Sequence, residues 1–291
     1  VVADHIRTVV MSLADGIVLS DKGSGGAITA MVKDAVELLG VPEEQVVVVG
    51  GPQYETYRRL SRLTNYDELL KRLNIPSETK IITYTAGAEW IYPEEQLLIE
   101  KLIREIDRGR FGNVILVIRL HPSDERTSIY RDHYGSTSLP VRLDEADAGF
   151  AAMNLGATGA PDSVAKFVAI MQFSDVVLNV ASTTTLDAIL FDTPVVCPCF
   201  NFKIPDDAYN AVSKLYNTHH YKEVTKSGAI HLPRSFTQLV SDIKEAILFP
   251  ERRRNQRREL SQKLTPELPT SELILAVIDQ TTAQRTCSGE E

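Results

Sequence analysis

The sequence FSDVVLNVASTTTLDAILFDTP, residues 173–194, combines a short apolar run, a cluster of hydroxyl side chains and a second apolar stretch. Residues 176–180 are almost all apolar, without polar alternation, which is typical of a parallel strand covered by helices on both faces. Four hydroxyl residues follow at 182–185, and apolar residues then repeat at helical spacing within 186–190. The stretch therefore predicts a strand, a turn and a helix.

The hydroxyl residues in this turn have two interpretations. A turn from a parallel strand into a helix presents unpaired backbone N–H groups and the positive end of the helix dipole, which together bind phosphate. Ser182, Thr183 and Thr184 would add hydroxyl donors to such a site. Thr184 and Asp187 also have the spacing of a capping box, in which both side chains satisfy N–H groups at the helix start. This stretch alone leaves both interpretations open.

The remaining sequence alternates between strand patterns and helix patterns. Further strands are predicted at 81–85, 113–120, 139–143 and 194–197, helices at 93–108, 164–171 and 235–249, and loops at 123–138 and 198–221. Alternation of this kind predicts an α/β fold built on a doubly wound, Rossmann-like parallel sheet.

The chain divides into three predicted parts. Residues 1–76 contain one strand–helix–strand pattern and a charged helical segment, and the sequence Asn-Ile-Pro-Ser at 74–77 breaks that segment. Because two strands are too few for an independent sheet, we interpret 1–76 as the end of a first α/β domain plus a linker. The start without Met also agrees with a piece of a longer protein. Residues 77–249 form the second domain, and 250–291 form C-terminal helices and a tail.

Composition excludes several classes of protein. With 291 residues, 43% of them hydrophobic, the chain is large enough to bury a core. A net charge of -8 argues against general nucleic-acid binding. No apolar run is long enough to span a membrane, and the first residues do not resemble a signal peptide. The three cysteines have neither metal-site nor disulfide spacing, so we expect a reducing, cytoplasmic location.

The arginine-rich segment at 251–258 also has two interpretations. Charge runs of this kind usually form the solvated face of a helix. The same arginines would also suit a peripheral contact with anionic lipid headgroups or with a partner. The sequence favours the solvated face.

A second motif, Arg119-Leu120-His121-Pro122, ends the strand predicted at 113–120. Because parallel strands end at the same edge of a sheet, His121 and the hydroxyl turn should face one crevice. A histidine titrates near neutral pH and can donate a proton or a hydrogen bond to a leaving phosphate. Pro122 would fix the turn that directs it.

Two segments carry a resemblance to a known family. VIRLHP at 117–122 and SDVVLNVASTTTLDAILFDTPVV at 174–196 resemble the C-terminal, nucleotide-binding half of GT-B fold glycosyltransferases. The resemblance is to bacterial surface-polymer enzymes: capsule and lipopolysaccharide transferases, CDP-glycerol glycerophosphotransferases, and sialyltransferases with His-Pro and Ser/Thr motifs. It extends over about residues 14–264. It implies that 1–76 is the remnant of an acceptor domain, that 77–249 binds the nucleotide donor, and that the helices after 250 cross between domains.

The resemblance also implies roles for individual residues. His121 would contact the donor phosphate as the catalytic residue, and Ser182, Thr183 and Thr184 would hold the same phosphate. Asp187 would lie near the ribose, where many family members have the longer Glu.

Three further cleft candidates follow from the resemblance. Asp21 and Gly25 lie in the glycine-rich loop of the first strand–helix–strand pattern, which also fits a simple tight turn. His219, beside His220, lies in the loop after the sheet.

The implied activity is transfer of a glycosyl or glycerophosphoryl group. The substrate would be a nucleotide-activated donor of the CMP, CDP or UDP type, the acceptor a polysaccharide or lipid-linked polymer such as capsule, and neither metal nor cofactor is expected. Such an enzyme would work in the cytoplasm, at the inner face of the membrane. The alternatives are a nucleotide-sugar 2-epimerase of the same fold, which needs additional acids in the cleft, and a non-catalytic nucleotide-binding module. We expect the chain alone to bind a donor without transfer and to self-associate through the edge of its incomplete first sheet.

Overall fold

The computed structural model describes most of the chain after residue 50. The described residues are 51–87, 91–121, 126–136, 138–145, 161–218, 221–264, 269–276 and 279. None of their helices is long and apolar enough to cross a membrane. The first strand–helix–strand prediction lies outside these residues, and so do the candidates Asp21, Gly25 and His219.

A five-stranded parallel sheet forms the centre of the described structure. Its strands are β1 (Lys80–Thr85), β2 (Val114–Arg119), β3 (Val141–Asp144), β4 (Val176–Leu178) and β5 (Val195–Val196). Their order in the sheet is β3-β2-β1-β4-β5, and every pairing is parallel. The predicted doubly wound sheet is therefore confirmed.

Ten helices surround the sheet within the described residues. They are α1 (Pro52–Ser61), α2 (Tyr66–Arg72), α3 (Glu95–Asp107), α4 (Thr127–Tyr134), α5 (Pro161–Phe173), α6 (Thr184–Leu190), α7 (Val212–Leu215), α8 (Lys222–Lys226), α9 (Phe236–Leu248) and α10 (Arg254–Leu264). Residues 270–276 are also helical.

Local sequence explains why these elements form where they do. All six residues of β2 are buried, as expected for a strand covered on both faces, and this is why its sequence shows no alternation. In α3, the buried residues Leu98, Leu102 and Ile106 repeat every four positions and form one apolar face. Ser235 begins α9 by accepting a hydrogen bond from the Gln238 backbone N–H at 3.2 Å.

Two regions predicted as loops contain helices, so those predictions were wrong. Residues 123–138 contain α4, and residues 198–221 contain α7. The sequence of α4 is polar apart from a few positions, and Tyr130 and Tyr134 supply its buried face. Two tyrosines four residues apart are enough to dock one helix turn, but they do not give a periodic pattern.

The described residues before position 76 pack against helix α5. The Tyr57 and Phe167 rings lie 5.7 Å apart between centroids, and the Tyr66 and Phe173 rings lie 5.6 Å apart, both edge to face. Buried residues of α1 and α2 belong to the same hydrophobic core as the sheet. These two helices are thus part of the layer that covers the sheet, and the boundary at 76 stays a prediction from sequence.

The arginine-rich segment is largely used within the protein, so the prediction of a solvated face was wrong for its central residues. The Nε atoms of Arg254 and Arg257 donate to the two carboxylate oxygens of Asp192, at 2.7 and 2.8 Å. Arg257 is only 1% exposed and also donates to the backbone carbonyls of Arg252 and Pro250. Asp192 follows the C-terminal end of α6, so these contacts fasten α10 to that helix.

Candidate functional site

The hydroxyl turn lies at the point where the direction of winding changes in the sheet. Strands β1 and β4 are neighbours, and the chain continues from β1 toward β3 but from β4 toward β5. Open α/β sheets bind ligands at the carboxyl edge of such a switch point. Thr85 ends β1, and its Oγ1 lies 2.8 Å from the Oγ1 of Thr184, which follows β4. The two sides of the switch point are therefore joined by a hydroxyl pair.

The turn before Ser182 is sharp and tightly held. Ala181 has φ 45°, in the left-handed region that costs an alanine about 1–2 kcal/mol. The Ala181 backbone N–H donates to Tyr216 Oη at 3.2 Å, and the Ser182 N–H donates to Asn179 Oδ1 at 3.1 Å. Two side chains thus hold a strained backbone in place, a combination that is common at functional sites.

The capping box proposed for Thr184 and Asp187 is not formed. Helix α6 begins at Thr184 and is preceded by Thr183, whose side chain makes no capping hydrogen bond. The Ser182 Oγ accepts instead from the Thr184 backbone N–H at 3.3 Å and lies 3.1 Å from the Thr184 Oγ1. Because Thr183 is the residue before the helix, the acid of a capping box would stand at position 186, and Asp187 comes one residue too late to reach back as the box requires.

The three predicted phosphate-binding hydroxyls differ in what they contact. The Thr184 hydroxyl is occupied by Ser182 and Thr85, and so it supports the turn. Thr183 is exposed, and its side chain makes no hydrogen bond to any residue that the structure describes. Ser182 is half-buried, with its Oγ directed at Thr184. Thr183 therefore offers the hydroxyl most available to a ligand, with Ser182 beside it.

A buried hydrogen-bond network lies beneath the turn. Asn179 Oδ1 can only accept, so Thr185 Oγ1 must donate to it at 3.0 Å, and Tyr221 Oη must then donate to Thr185 at 2.7 Å. Cys197 Sγ lies 3.6 Å from the same amide oxygen, and burial raises the pKa of its thiol to about 11. These hydrogen bonds to the Asn179 amide oxygen hold the turn in place, whereas the buried Asn179 Nδ2 has no hydrogen-bond partner among the described residues.

Sequence analysis missed the residues of this network. Tyr216 and Tyr221 follow the turn by more than thirty residues, in a region predicted as a loop. The local sequence around a tyrosine in a polar loop does not indicate which residue its hydroxyl will hydrogen-bond. The apolar surroundings of Asn179 were the one available clue, because an amide in a buried strand must find partners.

Asp187 is a buried residue of helix α6. It is 9% exposed, and burial raises the pKa of its carboxyl to about 7, although the positive charge of Arg119 acts in the opposite direction. The Asp187 charge in turn contributes to the raised pKa values of Tyr54 and Tyr57, whose largest cause is also burial. Asp187 thus lies within electrostatic range of Arg119, Tyr54 and Tyr57, and its contact with a ribose stays a prediction.

An ion cluster fixes the strand end that carries His121. Arg119, the last residue of β2, pairs with Asp144, the last residue of β3, and both are buried. Lys166 Nζ lies 2.7 Å from Asp144 Oδ1, and the Arg119 guanidinium stacks 4.7 Å from the Phe167 ring centroid. The cluster holds the ends of β2 and β3 side by side, two residues before His121.

His121 lies at the expected edge of the sheet. It follows β2 and is half-buried, while Pro122 lies outside the described residues. One strand, β1, separates β2 from β4, so two strand spacings of about 5 Å each lie between the strand of His121 and the strand of the hydroxyl turn. Their shared edge confirms that both motifs border one side of the sheet. In the described part of the chain, no group of three His, Cys, Asp or Glu side chains is placed to hold a metal ion.

Comparisons with known proteins identify the fold. No protein-family model and no curated protein matches the chain. Among solved structures, the wall teichoic acid polymerase TagF superposes with a TM-score of 0.55 at 14% identity, over 90% of this chain and 58% of its own. The UDP-GlcNAc 2-epimerase from Neisseria meningitidis bound to UDP-GlcNAc gives 0.51 at 18% identity, over 85% and 59%.

A third structure, of S. aureus MnaA with UDP, gives a TM-score of 0.52 at 14% identity, over 84% of this chain and 57% of its own. The chain thus spans less than two thirds of each of these proteins. At this level of identity the comparison concerns the fold alone. The chain has a Rossmann-like α/β fold of the GT-B kind, shared by a polymerase and by 2-epimerases.

Proposed function

We propose that the chain binds a nucleotide-activated donor at the carboxyl edge of its sheet and is the donor-binding part of a glycosyl- or glycerophosphotransferase. The acceptor in this proposal is a polysaccharide or lipid-linked polymer of the cell surface, and the reaction takes place in the cytoplasm. The observation that carries the proposal is the turn at Ser182 and Thr183. It is strained, held by buried side chains, placed at the switch point, and flanked by His121 on the same edge.

The proposed chemistry is stabilisation of a leaving phosphate. As the bond to the transferred group breaks, negative charge develops on the nucleotide phosphate. The hydroxyls of Ser182 and Thr183 would donate hydrogen bonds to that charge, and His121 would donate a further hydrogen bond or a proton. Because the turn is held before the ligand arrives, these donors need little reorganisation during the reaction.

The ligands of the structural neighbours support a nucleotide as the donor class. TagF was studied after soaking with CDPG, the Neisseria enzyme contains UDP-GlcNAc, and MnaA contains UDP. Donors of the CMP, CDP or UDP type are therefore the first ones to test. Neither a metal nor a separate cofactor is part of the proposal.

A 2-epimerase is the second candidate, because enzymes of that activity share the fold and one contains UDP-GlcNAc. That reaction needs acids that are available to the sugar. At this edge, Glu94 and Glu95 accept hydrogen bonds from backbone N–H groups, and Asp144 pairs with Arg119. Because these three acids are already engaged and Asp187 is only 9% exposed, none of the four is available to a sugar, and transfer is favoured over epimerisation.

Thermal unfolding with added nucleotides tests the proposal. A ligand that binds only the folded state stabilises it by RT ln(1 + [L]/Kd), about 2.7 kcal/mol at a hundredfold excess over Kd. We expect CMP, CDP or UDP to raise the melting temperature by several degrees, with GDP as a comparison. If none of these nucleotides changes the melting temperature at millimolar concentration, the proposal is wrong. Product analysis after incubation with UDP-GlcNAc would separate transfer or binding from epimerisation.

A further inference from the structure

Two adjacent acids begin helix α3 close to the carboxyl edge of the sheet. Glu94 is the residue before the helix and Glu95 is its first residue. Both are buried, with exposed fractions of 9% and 2%. Acids are rarely buried to this extent unless they are paired or hydrogen-bonded. All four of their carboxylate oxygens accept hydrogen bonds from the protein.

Glu95 connects the segment after β1 with the segment after β2. Its Oε1 accepts from the backbone N–H of Gly87 at 2.8 Å and from Tyr84 Oη at 3.0 Å. Its Oε2 accepts from Tyr130 Oη at 2.7 Å and lies 3.4 Å from Arg126 Nη2. Burial raises the pKa of the Glu95 carboxyl, and the hydrogen bonds from Gly87, Tyr130 and Tyr84 act against this shift.

Arg126 adds a direct link between the two segments. Its Nη2 donates to the backbone carbonyl of Gly87 at 3.2 Å as well as facing Glu95. Gly87 lies two residues after the end of β1, and Arg126 lies between His121 and the start of α4. The chain on both sides of the proposed crevice is thus fixed to one carboxylate.

Glu94 holds a third segment, the chain that follows β5. Its Oε2 accepts from the Phe202 backbone N–H at 2.6 Å, and its Oε1 accepts from the Lys203 N–H at 2.7 Å. Tyr92, two residues before Glu94, holds the same segment. Its hydroxyl donates to the Phe200 carbonyl at 3.2 Å. A carboxylate that accepts from two consecutive N–H groups fixes both the position and the direction of that backbone.

These contacts favour a positioning role over a merely stabilising one. Replacing a buried ionic network by apolar residues is often neutral or stabilising, so the network is weak evidence for a role in stability. What the two acids determine is where three loops lie relative to each other. Those loops follow β1, β2 and β5, and they lie at the same edge as the Ser182 turn.

We propose that Glu94 and Glu95 are positioning residues of the donor site, which hold the chain after β1, β2 and β5 around Thr183 and His121. This inference rests on the proposed function, because it assigns the acids to the site where that function places the donor. The acids act through the loops and do not touch the donor. A displacement of about 1 Å in such a site lowers the rate or affinity by up to about a hundredfold.

The substitutions Glu94→Gln and Glu95→Gln keep the shape of each side chain. An amide accepts at only one of its two terminal atoms, so each variant turns one of the present acceptors into a donor. Glu100→Gln on the exposed face of α3 is the control, since among the described residues Glu100 pairs with Arg104 of the same helix alone, at 3.4 Å. Tyr84→Phe, which removes one donor to Glu95, provides a milder variant if Glu95→Gln does not fold.

The first measurement is hydrogen exchange of the ligand-free protein. We expect Glu95→Gln to accelerate exchange at Gly87 by at least about tenfold, and Glu94→Gln to do so at Phe202 and Lys203, while Glu100→Gln leaves all three amides unchanged. Unchanged exchange at these amides in folded variants would overturn the inference.

The second measurement is calorimetric titration with the best nucleotide. We expect Glu95→Gln to lower the affinity of the protein for the nucleotide by about tenfold. The same substitution should lower the affinity less in a protein that already carries His121→Ala, because both changes then affect the same contact. A general loss of stability would give additive effects instead, and additivity would overturn the positioning role. Absence of binding by the wild-type chain would contradict the proposed function, whereas wild-type affinity in both folded variants would contradict this inference alone.

Discussion

At the scale of single residues, the hydroxyl turn separates into one exposed threonine, Thr183, and one supporting threonine, Thr184. Thr183→Val removes an exposed hydroxyl, so we expect a loss of about 1.5–3 kcal/mol in nucleotide binding with little change in stability. Thr184→Val removes the contacts with Ser182 and Thr85, and we expect it to reduce stability by about 1–2 kcal/mol. Calorimetric titration and urea unfolding measure the two effects. Full nucleotide affinity in folded Thr183→Val would leave the turn with a structural role only.

His121 gives a second prediction at this scale. If its proton assists the leaving phosphate, His121→Ala lowers turnover of the donor by about 100-fold or more, while the free energy of unfolding changes little. His121→Gln restores a hydrogen bond but no proton, and so it should rescue little of the rate. Because we expect the chain alone to bind a donor without transfer, the measurement is release of nucleotide from the donor, in the presence of acceptor, by the full-length enzyme. Wild-type turnover by His121→Ala would exclude the catalytic role.

The raised pKa of Asp187 leads to a prediction about how the free energy of unfolding depends on pH. Its carboxyl has a pKa of about 7 in the folded protein against 3.8 when unperturbed, so the folded state holds this proton more tightly than the unfolded state. Its contribution therefore favours folding below about pH 4 and is lost progressively as pH rises to about 7, by up to roughly 4 kcal/mol. Asp187→Asn removes this loss. Urea unfolding should show that the variant gains stability over wild type at pH 8 but not at pH 4, and an equal difference at both values would refute the assignment.

At the scale of helices and strands, an element could be predicted from the sequence only where its apolar residues form a continuous or periodic pattern. Strand β2 and helix α5 were predicted because their buried residues form unbroken or periodic apolar runs. Helix α4 was missed because only Tyr130 and Tyr134 of its residues are buried. The support of the turn by Tyr216 was missed for another reason. A hydrogen bond between residues 35 positions apart depends on how the chain folds back, and the sequence around either residue does not indicate its partner.

The fastening of α10 to α6 gives a prediction for these elements. Arg257 is buried and donates to Asp192 and to two backbone carbonyls, so Arg257→Met removes the donor from both carbonyls and leaves Asp192 paired with Arg254 alone. We expect it to destabilise the protein by about 3 kcal/mol. Arg72→Met is the matched control, because Arg72 and Asp162 form a pair with side chains 38% and 76% exposed, and such pairs contribute at most about 1 kcal/mol. Equal effects in urea unfolding would show that the burial of Arg257 is not important for stability.

At the scale of the whole molecule, sequence predicted the fold class but not how its parts join. The order of strands and helices was enough to predict a doubly wound parallel sheet, because few topologies satisfy the rules for parallel connections. The predicted boundary at 76 came from a local break in pattern. Helix α1, on one side of that break, packs on α5 on the other side through Tyr57 and Phe167, and α2 does so through Tyr66 and Phe173. A break in the local sequence pattern gives no information about packing between helices on its two sides.

Packing of α1 on α5 predicts that residues on both sides of position 76 unfold together. Tyr57 is buried against Phe167, so Tyr57→Ala should lower the free energy of unfolding by about 3 kcal/mol. Hydrogen exchange of the buried amides of β1 and β2 reports unfolding of the sheet. If α1 and the sheet form one cooperative unit, the substitution accelerates exchange of the α1 amides and of the β1 and β2 amides to the same extent. Tyr209→Ala, at a side chain 96% exposed, should accelerate neither. Faster exchange in α1 with unchanged exchange in β1 and β2 would show that the boundary at 76 separates two independent units.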